Sequence, residues 1–402
     1  MNLKALTLAT AAALALGCAE EAPPPAAGAV QFQAHDVGEI RGGYAVAVAD
    51  FNNDGLLDIM ANSLGVPQLA WHENPTWERH VIVDDVASLV NLAIADIDGD
   101  GIPEVAYQTQ FAMVPANSEG LNWIARSQGD PEGKWMAEQI DGVPTSHHVT
   151  WADLDGDGAL ELVNALLLGA ESRAPTYDQD DASVFWYGQN GWKRGTVSTE
   201  IPGIIHRVRT VRWDEGDRDQ ILVASFEGIG LYRATGTGDA MTFEKELITS
   251  GHDSEPAPRL GSSDVRIGTS SGKRVIASVE PWHGNEVVVY TDQNGTWQRR
   301  VIFDKIGSGH EVEMLDLNGD GRADIIANDR SSVSERTPDG TPGVHVFFSP
   351  DDPATGEWIY SRIESEFGMN GCVGGDMNGD DRPDIVCAGP GGMIRWYENM
   401  GE

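Results

Sequence analysis

One nine-residue pattern returns five times and limits what this chain can fold into more than any other feature. It reads DFNNDGLLD at 50–58, DIDGDGIPE at 96–104, DLDGDGALE at 153–161, DLNGDGRAD at 316–324 and DMNGDDRPD at 376–384. Each copy has Asp at position 1, Asp or Asn at 3, Asp at 5, and Asp or Glu at 9. Oxygen ligands at alternate positions of a tight loop converge on one hard cation, and glycine at position 6 frees the backbone for a sharp turn. The spacing matches the first half of an EF-hand loop, but the last acid comes at 9 rather than 12. The flanks are strands, not helices: YAVAVA at 44–49 precedes the first loop and DIMAN at 58–62 follows it. A single copy would pass as an acidic surface turn; five in register favour structural Ca2+, up to five ions. The expected ligands are Asp50, Asn52, Asp54 and Asp58; Asp96, Asp98, Asp100 and Glu104; Asp153, Asp155, Asp157 and Glu161; Asp316, Asn318, Asp320 and Asp324; Asp376, Asn378, Asp380 and Asp384.

The chain has 402 residues and a net charge of −36. Even five divalent cations leave it strongly acidic, which argues against nucleic acid or an anionic membrane surface as partner. Lys4 precedes an apolar run at 5–16 that is too short to span a bilayer as a mature helix. The run ends in ALGC at 15–18 and resembles a bacterial lipoprotein signal over 1–17, which implies lipid on Cys18. EEAPPPAAG at 20–28 then reads as a tether within an anchored segment 18–29. Ordinary signal-peptidase cleavage nearby is the alternative. Either way the expected location is the bacterial cell envelope, on its periplasmic or outer side, or the medium, with membrane contact only through the N-terminal lipid. The remaining cysteines, Cys372 and Cys387, fall on the two strands around the last loop, nearly opposite each other. They form a disulfide or stay as two buried thiols.

From residue 30 onward a unit of roughly 45 to 60 residues repeats. Aligned on the loop, first and second strands fall near 44–62, 90–108, 147–165, 206–225, 260–278, 310–328 and 370–388. Each unit continues into an aromatic third strand, such as QLAWH at 68–72, VFWY at 184–187 or MIRWY at 393–397. Most continue into a fourth, such as WERHVI at 77–82 and WQRRVI at 297–302. Four strands in each of seven units predict an all-β, seven-bladed β-propeller over 30–400. The last unit lacks a fourth strand, so 30–37 is expected to pair with 393–397 and close the ring. Units four and five have lost the loop chemistry. Their ligand positions hold Arg212, Asp214, Gly216 and Gln220, then Arg266, Gly268, Ser270 and Arg274. No Ca2+ is expected there, and an arginine is expected to replace the cation's charge. The loop-between-strands pattern resembles the FG-GAP/VCBS repeat family of propellers. That resemblance implies the fold and leaves function open among adhesion, lectin-like binding and catalysis.

In a propeller the first strand of each blade lines the channel, the calcium loops lie on one face, and the entries to the first strands lie on the other. The residues six before each loop's first ligand are Tyr44, Val90, His147, His206, Leu260, His310 and Asn370. Pseudo-sevenfold symmetry puts them at one height near the calcium-free mouth. His283, in a loop between second and third strands, falls on the same face, as does Arg41; Arg207, Asp329, Arg330 and His252 are further neighbours. A lone histidine is usually structural, but three on one rung with a fourth beside them argue for a working cluster. His72, His80 and His345 fall on outer strands and read as structural, and His148 has the parity to face a neighbouring blade.

Neutral His, Tyr and Arg together suit β-elimination from a sugar. The reaction needs a base for a proton next to a carbonyl or carboxylate, a donor or cation for the enolate, and an acid for the leaving oxygen. RGGYAV at 41–46, AWHENP at 70–75 and the WERHVI stretch resemble the propeller domain of aldos-2-ulose (1,5-anhydrofructose) dehydratases. That resemblance implies dehydration of a keto-sugar, with one of His147, His206 or His310 as base, Tyr44 as acid, and His283 and Arg41 beside them. Propeller-type uronate lyases share the elimination logic, and Zn2+ or Mn2+ on the histidines would then serve as electrophile. The alternative to an enzyme is a calcium-stabilised propeller that binds a glycan or a protein through the same face.

Overall fold

The computed structural model describes residues 30–330 and 342–401; the signal and tether expected at 1–29 lie outside the described residues. Seven four-stranded antiparallel sheets form a seven-bladed propeller. Their first strands pack side by side in a closed ring, each against the first strands of the blades before and after it. Second strands such as Asp58–Ser63, Glu104–Thr109 and Glu161–Leu166 are buried along their whole length. They sit between neighbouring blades, and their polar residues are buried with them: Asn62 accepts from the Ala45 N–H, and Gln108 donates to Asn164, which donates to Ser146 of the adjoining inner strand. Outermost strands such as Met136–Gly142 are half exposed. The apolar core is therefore divided among blade interfaces: Met60 and Trp71 of blade one pack with Val105 and Tyr107 of blade two.

Closure follows the expected route. Phe32–Glu39 forms the fourth strand of the last blade and runs antiparallel to Met393–Asn399, from Phe32 opposite Asn399 to Glu39 opposite Met393. Cys372 and Cys387 face each other across that blade's inner pair with their Cα atoms 4.2 Å apart, and their sulfurs are bonded.

The five acidic loops are tight turns held by their own carboxylates. Position 1 accepts backbone N–H groups inside the loop, as Asp50 does from Asp54 and Gly55. Position 9 accepts the N–H of position 2, as Asp58 does from Phe51 and Glu161 from Leu154. Blade four keeps the loop but fills it from within. Arg212 pairs with Asp219 at 2.6 Å, and Gln220 takes over the position 9 role by accepting from Trp213. Blade five has no such loop. Ser270 and Lys273 pair directly, so the turn shrinks to two residues. Arg266 consequently stands in an inner strand, 2.6 Å from Glu313, and replaces no cation.

Candidate functional site

Four of the seven inner strands are irregular near their entry. The register with the second strand jumps between Gly43 and Val46, Ser146 and His148, Ile205 and Arg207, and Gly309 and Val312. Inner strands of blades two, five and seven pair without a break. A β-bulge inserts an unpaired residue and re-aims its side chain. Tyr44, His147, His206 and His310 sit in these four bulges, and all four are buried.

His283 reaches the same place from the tight 280–284 turn. Its backbone is left-handed, with φ of 47°, a conformation that non-glycine residues adopt at a cost. Gly284 behind it has no room for a side chain: a Cβ would lie 2.2 Å from the Glu280 carbonyl oxygen. The Trp282 ring stacks on His283 at 4.4 Å, and Phe111 flanks His147 at 5.2 Å between centroids.

The hydrogen bonds dictate where most imidazole protons sit. His206 Nδ1 and His310 Nδ1 each lie 2.8 Å from a backbone carbonyl, of Ser263 and Asn370, so both carry hydrogen on Nδ1. His283 Nδ1 receives an N–H from Arg330 at 2.9 Å, so its hydrogen is on Nε2 and points at His206 Nε2, 3.0 Å away. The Tyr44 hydroxyl lies between His147 Nε2 at 2.8 Å and His310 Nε2 at 3.3 Å. His147 Nδ1 is buried with no partner among the described residues. Burial first, then nearby arginines and imidazoles, holds His147, His206, His283 and His310 well below the ordinary histidine range. Burial pushes the Tyr44 phenol up to about 12. At neutral pH the cluster is four neutral imidazoles and one neutral phenol.

The sequence placed most of these side chains, and the structure corrects several. Arg41 does not join: it sits exposed at the turn before the first bulge and donates to the Gly65 carbonyl. Leu260 precedes the inner strand of blade five and packs into an apolar cluster with Phe226 and Trp282; Ser263 holds its rung instead. His252 bonds to Gly261 by backbone and to Ser254 by side chain, and forms no hydrogen bond or ring contact with the four cluster histidines among the described residues. Arg207 lies deeper, paired with Glu311 and 3.7 Å from Asp264. Asp329 accepts the N–H groups of Gly307 and Ser308. His148 feels Arg207 and Arg209 of the next blade, as its parity implies. The Ser263 and Asn370 carbonyls escaped the sequence reading because a backbone group carries no side-chain signal.

Three of the rings gather nitrogens as a metal site would, though His283 would offer its Nε2 lone pair only once its Nδ1 is released from Arg330. His206, His283 and His310 each offer a nitrogen within 4.8 Å of the others. The Ser263 and Asn370 carbonyls fix two of them with Nε2 lone pairs facing inward, the usual second layer around a metal-bound imidazole. Among the acidic loops, Asp96, Asp98 and Glu104 converge in the same way, and so do Asp153, Asp155 and Glu161. In the latter loop one Asp155 carboxylate oxygen is buried without a partner. Loops of blades six and seven differ: Arg322 lies 2.5 Å from Asp320, and Arg382 is paired with Asp380.

Comparison with known proteins gives two partial matches. Residues 50–107 match an FG-GAP-like repeat, and residues 119–293 match the β-propeller domain of aldos-2-ulose dehydratase. Both resemblances hold. The second match contains His147, His206 and His283. Aldos-2-ulose dehydratase of Phanerodontia chrysosporium is 23% identical over 306 residues, which cover 68% of this chain and 31% of that protein. The chain thus matches less than a third of that relative's length. Among solved structures, BBS1N in complex with ARL6DN has a TM-score of 0.55 at 11% identity, covering 92% of this chain and 96% of that one, which shows the fold alone. A gluconolactonase from Xanthomonas campestris overlaps more loosely, with a TM-score of 0.43 at 8% identity, covering 91% and 89%.

Proposed function

We propose that this chain is a carbon–oxygen lyase that acts on a sugar by β-elimination. Dehydration of a keto-sugar, of the 1,5-anhydrofructose or aldos-2-ulose type, is the form that the similarity to the dehydratase propeller supports. The observation that carries the reading is the Tyr44 hydroxyl held 2.8 Å from His147 Nε2 in a cluster of neutral imidazoles. His206, His283 and His310 have both ring nitrogens engaged, which leaves His147, whose Nδ1 has no partner among the described residues, as the candidate base. His147 is therefore assigned as the base. It takes the proton next to the carbonyl, the electron pair forms the carbon–carbon double bond, and the β carbon–oxygen bond breaks. Tyr44 gives its proton to the departing oxygen, which leaves as water. The His147 imidazolium then returns a proton to the Tyr44 phenolate beside it.

His206 and His310, joined by His283 once its Nδ1 gives up the Arg330 bond and carries the hydrogen, would hold a Zn2+ or Mn2+ ion, which supplies charge stabilisation to an enolate oxygen when bound. The acidic loops would bind Ca2+, with those of blades two and three favoured by their all-carboxylate ligand sets. The envelope location and the lipid anchor stay part of the proposal.

A second reading, a non-catalytic propeller that binds a glycan or protein, draws on the burial of the rings. Ultraviolet absorbance decides between them. The calcium-loaded protein is mixed with 1,5-anhydrofructose, glucosone and uronate oligosaccharides, all of which give a conjugated chromophore on elimination. A rise with any of them supports the lyase, and its identity selects the substrate class. Silence across the panel from folded protein supports the binding propeller.

A further inference from the structure

Among the described residues, the mouth of the channel contains one arginine with no ion-paired acid. Three arginines line the inner strands below the histidines, and three acids answer them. Arg207 pairs with Glu311, Arg209 lies 2.6 Å from Asp264, and Arg266 lies 2.6 Å from Glu313. Asp329, next in the chain to Arg330, turns its two oxygens to the N–H groups of Gly307 and Ser308. Arg330 itself forms no ion pair among the described residues. Its bonds go to neutral groups, Nε to the Ser308 hydroxyl at 3.1 Å and Nη2 to His283 Nδ1 at 2.9 Å. Nη1 and one hydrogen of Nη2 remain, which is the planar fork that grips a carboxylate through two parallel bonds. Its bond to His283 places the guanidinium against the cluster, where its charge acts on Tyr44 and on all four histidines. The Asp329 carboxylate acts on Arg330 electrostatically, but the hydrogen bonds of Arg330 reach only neutral groups, and a mostly buried guanidinium without an ion pair is stabilised when a ligand brings an anion.

We propose that Arg330 is the seat of a carboxylate, so that of the substrate classes open to the elimination the mouth takes a small sugar acid in preference to the neutral keto-sugar that the similarity alone suggests. The protein's net charge of −36 opposes a long polyanion, so a monomeric or short acid with one carboxylate at the reacting end fits best. The reaction this implies rests on the lyase reading. The carboxylate on Arg330 acidifies the neighbouring C–H, His147 removes that proton, and the β carbon–oxygen bond breaks toward Tyr44. The product is an α,β-unsaturated acid plus water or an alcohol. Binding of the acid stands without that reading.

The test is calorimetric titration of the full calcium-loaded chain with galacturonate, with gluconate, and with the uncharged methyl ester of galacturonate. Charge-assisted hydrogen bonds to a seated carboxylate predict that the acids bind about ten-fold tighter than the ester. Arg330→Gln is expected to erase that preference, and Arg330→Lys to keep part of it. Equal binding of acid and ester to the wild type overturns the proposal, even where Arg330→Gln proves unstable. So does a preference that survives in a folded Arg330→Gln protein, which would place the carboxylate on other groups. Tight acid binding with no chromophore sinks the lyase reading and keeps Arg330. Turnover of a neutral keto-sugar, with no preference for acids, does the reverse.

Discussion

At the scale of single residues, Tyr44 and His147 separate catalysis from packing. Tyr44→Phe keeps the ring among Ala45 and Val90 and removes only the hydroxyl that bridges two imidazoles. His147→Ala removes the proposed base but leaves its strand neighbours paired. General acid–base partners contribute about 10²- to 10⁴-fold in rate, so each variant is expected to lose elimination by that factor. The melting temperature of Tyr44→Phe is expected to stay within a few degrees of wild type. A variant that melts much lower while its residual rate stays high would mark the cluster as structural. The histidines were legible because they fall at equivalent positions of a repeat. Their bulges were not: His147 and His148 look like an ordinary alternating pair, yet the register slips between Ser146 and His148 and both rings end up buried. Arg330 was legible as a neighbour and not as the cluster's cation, because its solitude depends on which acids the other arginines take.

At the scale of the element, the acidic loops were the clearest signal in the chain, and their two exceptions show what a pattern of residue types omits. In blade four an internal Arg212–Asp219 pair stands where the other loops gather acids. In blade five the aligned positions belong to strands, since alignment by spacing cannot see that a loop has been deleted. The remaining loops create a problem that a cation would resolve. Burial, then neighbouring acids, pushes Asp58 up to about 6, and Glu161 and Asp324 up to about 7. Folded values above the unfolded ones mean that the cation-free protein has stability at low pH that is lost as pH rises through about 6 to 7. With Ca2+ bound the same acids stay ionised and the loss disappears. EDTA is therefore expected to lower the melting temperature far more at pH 8 than at pH 5. A site held at about 100 times its Kd contributes about 2.7 kcal/mol. Asp98→Asn and Asp155→Asn, in the loops whose acids converge, are expected to remove more of the calcium effect than Asn318→Ala. Calorimetric melts with and without EDTA at both pH values check this, and identical melts would show that the loops hold themselves together by their own hydrogen bonds.

At the scale of the whole molecule, the ring depends on a strand that the chain makes first and on a blade that it makes last. Phe32–Glu39 supplies the outer strand of the final blade, and its Val37, with Ile40 just beyond, packs against Val386 and Ile394. Arg395 extends the seam, reaching Asp36 on one side and Glu364 of blade six on the other, where Tyr397 also donates at 2.7 Å. The disulfide ties the inner pair of the same blade, so the seam is braced at its axis and at its rim. The two apolar side chains alone contribute about 3 to 6 kcal/mol, a large part of the roughly 5 to 15 kcal/mol by which a folded protein exceeds its unfolded chain. Removing residues 30–40 should therefore affect more than one blade. Each core cluster spans a blade interface, and an opened ring lets the first and last inner strands part. The expected result is a broad, low-temperature melt and loss of the Tyr44–His310 contact, which joins blade one to blade six across the channel. Supplying residues 30–40 as a separate peptide is expected to restore the sharp melt and any elimination activity together. Recovery of the melt without activity would mean that ring closure and the site are independent, and that the mouth is assembled by the bulges alone.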